Sequence, residues 1–115
     1  MPIVVDNLLR TATDSDDREQ IKELLATGSV RIEQIVSHGQ ASPEGFWYDQ
    51  PEAEWVVLLQ GSATLLIEGE PGVTLGAGDY LLIPAHLRHR VERTSEDALW
   101  LAVHFRDETK VTSRT

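Results

Sequence analysis

The chain has 115 residues, 41% of them apolar, with nineteen acidic residues, ten basic residues and no cysteine. This length suits a single domain over residues 1–115, and a formal net charge of −9 disfavours nucleic acid and anionic membranes as partners. The lack of cysteine excludes disulfide scaffolds, cysteine–zinc sites and thiol catalysis. No basic leader precedes an apolar stretch, and no apolar run reaches the ~18 residues of a membrane helix. We therefore expect a cytoplasmic protein.

The first predicted element is a short helix over residues 15–28. Ser15 is a typical capping residue, acidic residues follow in the first turn, and Gly28 suits the C-terminal end. The apolar side of this helix consists of Ile21, Leu24 and Leu25, which is too narrow to form a core alone. We expect the helix to pack on the outside of a larger structure.

From residue 29 onwards, short apolar runs alternate with turn residues about every ten positions, which is typical of an all-β sandwich or barrel. The runs are SVRIEQIVSH, GFWYDQ, EWVVLLQ, SATLLIEG, GVTL, DYLLIP, HRVERT and ALWLAVHF. Glycine, with proline at two of the three sites, predicts turns at 42–45, 60–61 and 70–72. The barrel is expected over residues 29–106, followed by a frayed tail at 107–115.

Two of the predicted strands, in EWVVLL and WLAVHF, are apolar at both alternating positions. A sheet with one solvated face alternates apolar and polar residues, so both faces of this sheet are expected to be covered. The barrel interior covers one face. The other face, around Trp55, Val57 and Leu59, is covered either by a second subunit or by the N-terminal segment. We therefore predict a homodimer.

Two segments resemble the sequence motifs of the cupin superfamily. Glu54 followed by Gly61 resembles the end of the first motif, and Gly78, Pro84 and His89 resemble the second. The resemblance spans about residues 45–105 and is closest to small bacterial single-domain cupins. It implies an all-β fold, a jelly-roll β-barrel, to which the short N-terminal helix is added.

The resemblance also implies a divalent metal (Zn, Fe, Mn or Ni), held by two His and a Glu of the first motif and a His of the second. Glu54 and His89 stand on two of these positions. Tyr48 and Gln50 occupy the two histidine positions. A Glu and a His supply two donors, whereas Zn²⁺ or Fe²⁺ needs three or four. Gln50 and His86 are therefore the candidate replacement ligands.

Each candidate ligand also has a structural interpretation. Glu54 could pair with an arginine at the barrel rim. His89 could be satisfied by a hydrogen bond to Tyr48 or Gln50. His86 could be a surface histidine in the loop after Pro84.

Arg93 and His104 are further candidates for the substrate pocket. Arg93 shares strand parity with His89, so alternation predicts that it faces the cavity, where it would bind a carboxylate or phosphate of a small ligand. Arg88 and Arg90 would then face outward. The alternatives are a surface ion pair for Arg93, worth only about 0–1 kcal/mol, and a structural role for His104.

Three functions are compatible with these residues. The resemblance allows a metal-dependent enzyme, dioxygenase- or isomerase-like, that acts on a small organic substrate, with an anionic one suggested by Arg93. It also allows metal-free chemistry similar to that of sugar-nucleotide epimerases, with His89 as base and Tyr48 as acid. The third function is a barrel that binds a small ligand without turnover. Because one fold hosts many chemistries, the site geometry has to decide.

Overall fold

The computed structural model describes residues 2–11 and 18–106, and its regular elements are all β-strands. The described residues form eight strands: β1 (Gln20–Ala26), β2 (Val30–Val36), β3 (Ala53–Gln60), β4 (Ser62–Ile67), β5 (Val73–Gly76), β6 (Tyr80–Ile83), β7 (His89–Thr94) and β8 (Leu99–Phe105). The all-β class predicted from the sequence is confirmed. The predicted strand in GFWYDQ is reduced to one isolated bridge between Tyr48 and His89.

The strands form two antiparallel sheets that pack face to face. The larger sheet has the order β1-β2-β8-β3-β6, and the smaller sheet has the order β5-β4-β7. Leu58 and Trp100 of the larger sheet meet Leu65 and Leu75 of the smaller sheet in one buried cluster. Apolar burial between the sheets is therefore what holds the two layers together.

The predicted helix over 15–28 is wrong for residues 20–26, which form strand β1. These residues pair with β2, with a bulge between Glu23 and Leu25. Ile21 and Leu25 are 59% and 50% exposed, so the narrow apolar side had little burial to gain from a helix. Pairing with the open edge of β2 satisfies the backbone instead, and this tertiary contact overrides the local helix signals. Residues 15–17 of that prediction, and the predicted tail at 107–115, lie outside the described residues.

Gly61 makes the turn between β3 and β4, where the chain crosses from the larger sheet to the smaller one. Its φ is +87°, and a Cβ at this position would collide with Ser95 Oγ and lie 3.0 Å from Ala98 Cα. Glycine adopts this left-handed conformation without steric cost. The predicted turn at 60–61 is therefore observed and requires glycine, but it does not close a hairpin, because β3 and β4 belong to different sheets and do not pair with each other.

The outer face of the larger sheet is apolar and only partly covered. On β6, Tyr80 and Leu82 are 64% and 53% exposed, and Trp55 of β3 packs against Tyr80 with ring centroids 5.3 Å apart. The N-terminal segment reaches this face on β2, where Gln34 Nε2 donates a hydrogen bond to Leu8 O at 2.7 Å. The segment thus lies against β2, and it leaves Tyr80 and Leu82 of β6 exposed and Trp55 of β3 partly exposed. Residues 2–11 and 18–106 include no helix that is long and apolar enough to cross a membrane.

Candidate active site

A cavity of about 180 Å³ lies between the two sheets. Its apolar wall is formed by Ile21, Ile35, Val56, Leu65, Ile83, Val91 and Trp100. Its polar wall contains Glu19, Arg31, Glu33, Ser37, Tyr48, Gln50, Glu54, His89, Thr94 and His104. A concave, largely apolar space with a few converging polar groups is typical of a small-molecule site.

The register of the larger sheet brings three ionisable residues into one row on the cavity face. Arg31 of β2 and Glu54 of β3 are both paired with His104 of the central strand β8. Directly paired residues in an antiparallel sheet point to the same face. The row Arg31–His104–Glu54 therefore follows from strand pairing.

Glu54 and His89 meet across the cavity from opposite sheets. Glu54 Oε1 lies 3.8 Å from His89 Nε2, and the two side chains are only 12% and 6% exposed. His89 Nδ1 is 2.9 Å from Leu87 O, and a carbonyl only accepts hydrogen bonds, so Nδ1 carries the proton. In neutral His89, Nε2 therefore presents its lone pair to the cavity.

Glu54 is a buried carboxyl group with an unusual proton affinity. Burial, reinforced by the negative charge of Glu33, raises the pKa of Glu54 to about 7, and Arg31 opposes this shift. A buried carboxylate is disfavoured because it loses its hydration. Glu54 is therefore partly protonated near neutral pH, as an acid–base group requires.

Tyr48 supports His89 through both backbone and ring. The two residues exchange backbone hydrogen bonds of 2.7 and 3.2 Å, and their rings stack with centroids 5.4 Å apart. Burial raises the pKa of the Tyr48 hydroxyl, with further contributions from Glu19 and Glu54, while a hydrogen bond with Ser42 lowers it. The hydroxyl therefore holds its proton at neutral pH.

Glu33 lies two residues after Arg31 on β2 and bridges Arg31 and His104. Its Oε2 accepts from Arg31 Nε at 3.1 Å, and its Oε1 lies 3.2 Å from His104 Nε2. Arg31 Nη1 also lies 3.1 Å from Glu52 Oε1. Burial and the charge of Arg31 lower the pKa of His104, so this histidine is neutral and donates its Nε2 proton to Glu33. His104 Nδ1 is buried and has no hydrogen-bond partner within the described residues.

The sequence reasoning missed Arg31 and Glu33. In SVRIEQIVSH, alternation separates Arg31, Glu33 and Ile35 from Val30, Ile32 and Val36, and the usual rule sends the apolar set inward. In the structure, Arg31, Glu33 and Ile35 line the cavity instead. The signal that could have revealed these cavity residues was the alternation of the two residue sets in β2, combined with the apolar character of the outer face of this sheet.

The two candidate replacement ligands lie in different environments. Gln50 lines the cavity, and its backbone oxygen accepts from the backbone N–H of His86 at 2.7 Å. The His86 side chain is 68% exposed, and its Nδ1 lies 2.8 Å from Asp49 Oδ1. His86 is therefore a surface histidine and does not line the cavity.

Arg93 does not face the cavity, contrary to the prediction from strand alternation. A bulge between Thr64 and Leu65, where β4 pairs with β7, shifts the register, so Thr94 takes the inward position. Arg93 Nη2 instead donates to Ser62 Oγ at 2.9 Å. Arg88 does face outward, as predicted, and pairs with Glu68 at 2.8 Å.

The cavity residues do not make a set of ligands for a divalent metal. Glu54 and His89 face each other, but His104 Nε2 is occupied by Glu33. Among the residues that the structure describes, no three His, Asp or Glu side chains are grouped so as to hold a metal ion. Glu54 and His89 alone are two donors, fewer than the three or four that Zn²⁺ or Fe²⁺ requires, and Gln50 is the lining residue that could add a side-chain oxygen.

Comparison with known proteins agrees with this architecture. The cupin domain family model matches residues 32–104. A crystal structure from Ralstonia eutropha, of a protein provisionally assigned as a mannose-6-phosphate isomerase, is 42% identical with a TM-score of 0.84, over 90% of this chain and 98% of that chain. The chain therefore belongs to the cupin superfamily, and its fold is the cupin jelly roll.

More distant structures share the fold. KdgF from Halomonas sp. is 19% identical with a TM-score of 0.69, over 90% of this chain and 94% of that one. The DMSP lyase DddQ from Ruegeria pomeroyi is 26% identical with a TM-score of 0.61, over 88% of this chain. This chain spans 54% of that lyase. No curated protein matches the chain significantly.

Proposed function

We propose that the cavity is a metal-independent acid–base site that moves a proton between adjacent atoms of a small polar organic substrate. The observation that carries this proposal is the 3.8 Å approach of Glu54 Oε1 and His89 Nε2 inside the cavity. Two proton-transfer groups 3.8 Å apart can reach adjacent atoms of one bound substrate. The 42% identical relative provisionally assigned as an isomerase supports this reaction class.

The chemistry follows from the protonation states. The lone pair of His89 Nε2 takes a proton from the carbon next to a carbonyl group, while protonated Glu54 donates its proton to the carbonyl oxygen. When that carbon carries a hydroxyl group, the product of this step is an enediol. Protonated His89 then gives its proton to the former carbonyl carbon, and the Glu54 carboxylate takes the proton of the neighbouring hydroxyl group, which completes an isomerisation without any overall change in oxidation state.

Tyr48 acts in this proposal as a positioning residue. Its stacked ring and its two backbone hydrogen bonds hold the His89 imidazole in place. The raised pKa of its hydroxyl makes it a poorer acid at neutral pH than Glu54. We therefore assign the acid role to Glu54, whereas the sequence suggested Tyr48.

The test is exchange of substrate hydrogen with solvent deuterium. The protein, treated with chelator, is incubated in D₂O with a panel of hydroxyaldehydes, hydroxyketones and aldoses, with and without phosphate, and followed by proton NMR. Loss of the signal from the hydrogen next to the carbonyl group is expected for the wild type and not for Glu54→Gln or His89→Gln. His38→Gln, which alters a histidine outside the cavity lining, is the matched control.

The exchange assay, combined with metal and ligand binding measurements, also tests the other two functions. If calorimetry with Zn²⁺, Mn²⁺, Ni²⁺ or Fe²⁺ shows one ion per chain and exchange depends on that ion, the protein is a metal-dependent enzyme. If ligands bind but no compound exchanges, the barrel is a binding module. Either result refutes the proposed mechanism.

We also propose a cytoplasmic homodimer that forms through the outer face of the larger sheet. The exposed Tyr80 and Leu82, together with the partly covered Trp55, support this assembly, because large apolar patches are rare on monomers. Sedimentation should give twice the 12.8 kDa chain mass for the wild type and one chain mass for Leu82→Lys. A monomeric wild type at micromolar concentration would exclude the dimer.

A further inference from the structure

We infer that the substrate carries no anionic group and is an uncharged or amine-bearing hydroxy-carbonyl compound. This inference rests on the proposed function and names the substrate class of the same site. It follows from the charges on the cavity wall, and from which of the polar groups are still able to donate or to accept a hydrogen bond.

Carboxyl groups dominate the charge of the cavity. Glu19 and Glu33 line it beside the proton-carrying Glu54, and Arg31 is the single Lys or Arg among its described lining residues. A phosphate or carboxylate would therefore enter a negative field at short range, in a space where water screens charge poorly. An ammonium group or a hydroxyl group would not meet this repulsion.

The one lining cation is already neutralised. Arg31 Nε lies 3.1 Å from Glu33, and Arg31 Nη1 lies 3.1 Å from Glu52. An incoming anion would have to displace one of these two carboxylates from a partly buried guanidinium. Displacement would leave that carboxylate without its partner, which offsets the gain from the new contact.

The arginines of the segment 88–93 give no help at the cavity. Arg88 pairs with Glu68, Arg90 donates to Ser42 O, and Arg93 donates to Ser62 Oγ. All three are absent from the cavity lining. The basic cluster that suggested an anionic ligand thus serves other contacts.

The two histidines offer no donor to an anion either. His104 gives its Nε2 proton to Glu33. His89 is 5% exposed, its Nδ1 proton goes to Leu87 O, and its Nε2 has no hydrogen-bond partner within the described residues. The lone pair of His89 Nε2 faces the cavity, and the buried His104 Nδ1 has no hydrogen-bond partner within the described residues. Such acceptors call for a donor on the ligand. Hydroxyl and ammonium groups supply such donors, whereas phosphate at neutral pH supplies mainly acceptors.

The test compares three hexoses that differ only in charge at carbon 6: 6-amino-6-deoxyglucose, glucose and glucose 6-phosphate. Binding is measured by ligand-observed NMR at neutral pH and at a fixed ionic strength of about 0.15 M. For the wild type, glucose 6-phosphate should bind about tenfold or more weakly than glucose, and the amine should bind at least as tightly as glucose.

Two charge-reversal variants distinguish the effect of the local electrostatic potential of the cavity on binding from the effect of the net charge of the protein. Glu19 stands at the cavity mouth, exposed, and accepts from Ser37 Oγ at 3.1 Å. Glu19→Lys should bring glucose 6-phosphate to within about threefold of glucose. Glu70→Lys makes the same change of net charge in the exposed turn between β4 and β5, and should leave the ratio unchanged.

Three results would overturn the inference. These are equal or tighter binding of glucose 6-phosphate by the wild type, an equal effect of both lysine variants, and no binding of any of the three probes. Binding is read separately from deuterium exchange. A charge preference without exchange therefore refutes the proposed catalysis and leaves the charge selectivity of the cavity standing.

Discussion

Replacing Glu54 by glutamine should make the stability of the protein less dependent on pH. The fold raises the pKa of Glu54 from its ordinary value of 4.5 to about 7, so the folded protein holds this proton more tightly than the unfolded chain does. Each pKa unit corresponds to about 1.4 kcal/mol, and the whole shift therefore amounts to about 3 kcal/mol. The side chain is only 12% exposed, so solvent screening removes little of this value.

The sign of the effect follows from proton linkage. Below the ordinary pKa of 4.5, Glu54 is protonated in both states and contributes no difference. As the pH rises towards 7, the unfolded chain loses the proton first, and the folded state becomes less stable. Above that pH the folded state carries the full cost of a buried carboxylate. Glutamine carries no charge and avoids this cost.

Urea unfolding at several pH values between about 5 and 8, followed by tryptophan fluorescence, measures the effect. The free energy of unfolding of Glu54→Gln relative to the wild type should rise by up to about 3 kcal/mol from the acidic to the alkaline end. Glu70→Gln removes a carboxylate from an exposed turn and serves as the control. A stability difference between Glu54→Gln and wild type that is flat across this range would refute the reasoning.

Two further substitutions test the turn between β3 and β4 and the hydrogen bonds of Glu33 in the cavity wall. Gly61→Ala should destabilise the fold by about 1–3 kcal/mol in denaturant unfolding, because the backbone has φ +87° and the new Cβ meets Ser95; an unchanged unfolding midpoint would contradict this. Glu33→Ala should cost about 2–4 kcal/mol, because Arg31 and His104 both lose their acceptor. Glu33→Gln keeps a side-chain oxygen for His104 and should cost clearly less, and equal losses for the two variants would argue against the hydrogen-bond explanation.

Much of the fold was predictable because strand signals are local. Alternation and turn residues located the strands from β2 to β8, and glycine at position 61 indicated the turn between β3 and β4. The two cupin motifs indicated the family. The helix prediction over 15–28 failed at residues 20–26, where an open sheet edge competed with a weak helix. That competition is a tertiary effect and leaves no trace in the local pattern.

The candidate site was predictable only in part. Glu54, His89, Tyr48, Gln50 and His104 were named from the sequence, and all five line the cavity. Their chemical roles depend on neighbours that are distant in the chain, and two of these neighbours, Arg31 and Glu33, were not foreseen. The sequence treated Glu54 as a metal ligand, whereas the proposed acid–base role rests on burial, which raises the pKa of Glu54 to about 7.

The amino-acid sequence by itself determined the all-β class, the positions of most strands and turns, and the cupin family, because hydrophobic alternation, turn residues and motif spacing are properties of short segments. Only the tertiary structure decided which side of each strand faces the cavity. The bulge at Thr64–Leu65 turned Arg93 outward, and the pairing of β2 with β8 brought Arg31 beside His104. Register, bulges and burial arise from contacts between residues far apart in the chain, and these contacts set the charge and the proton affinity of the site.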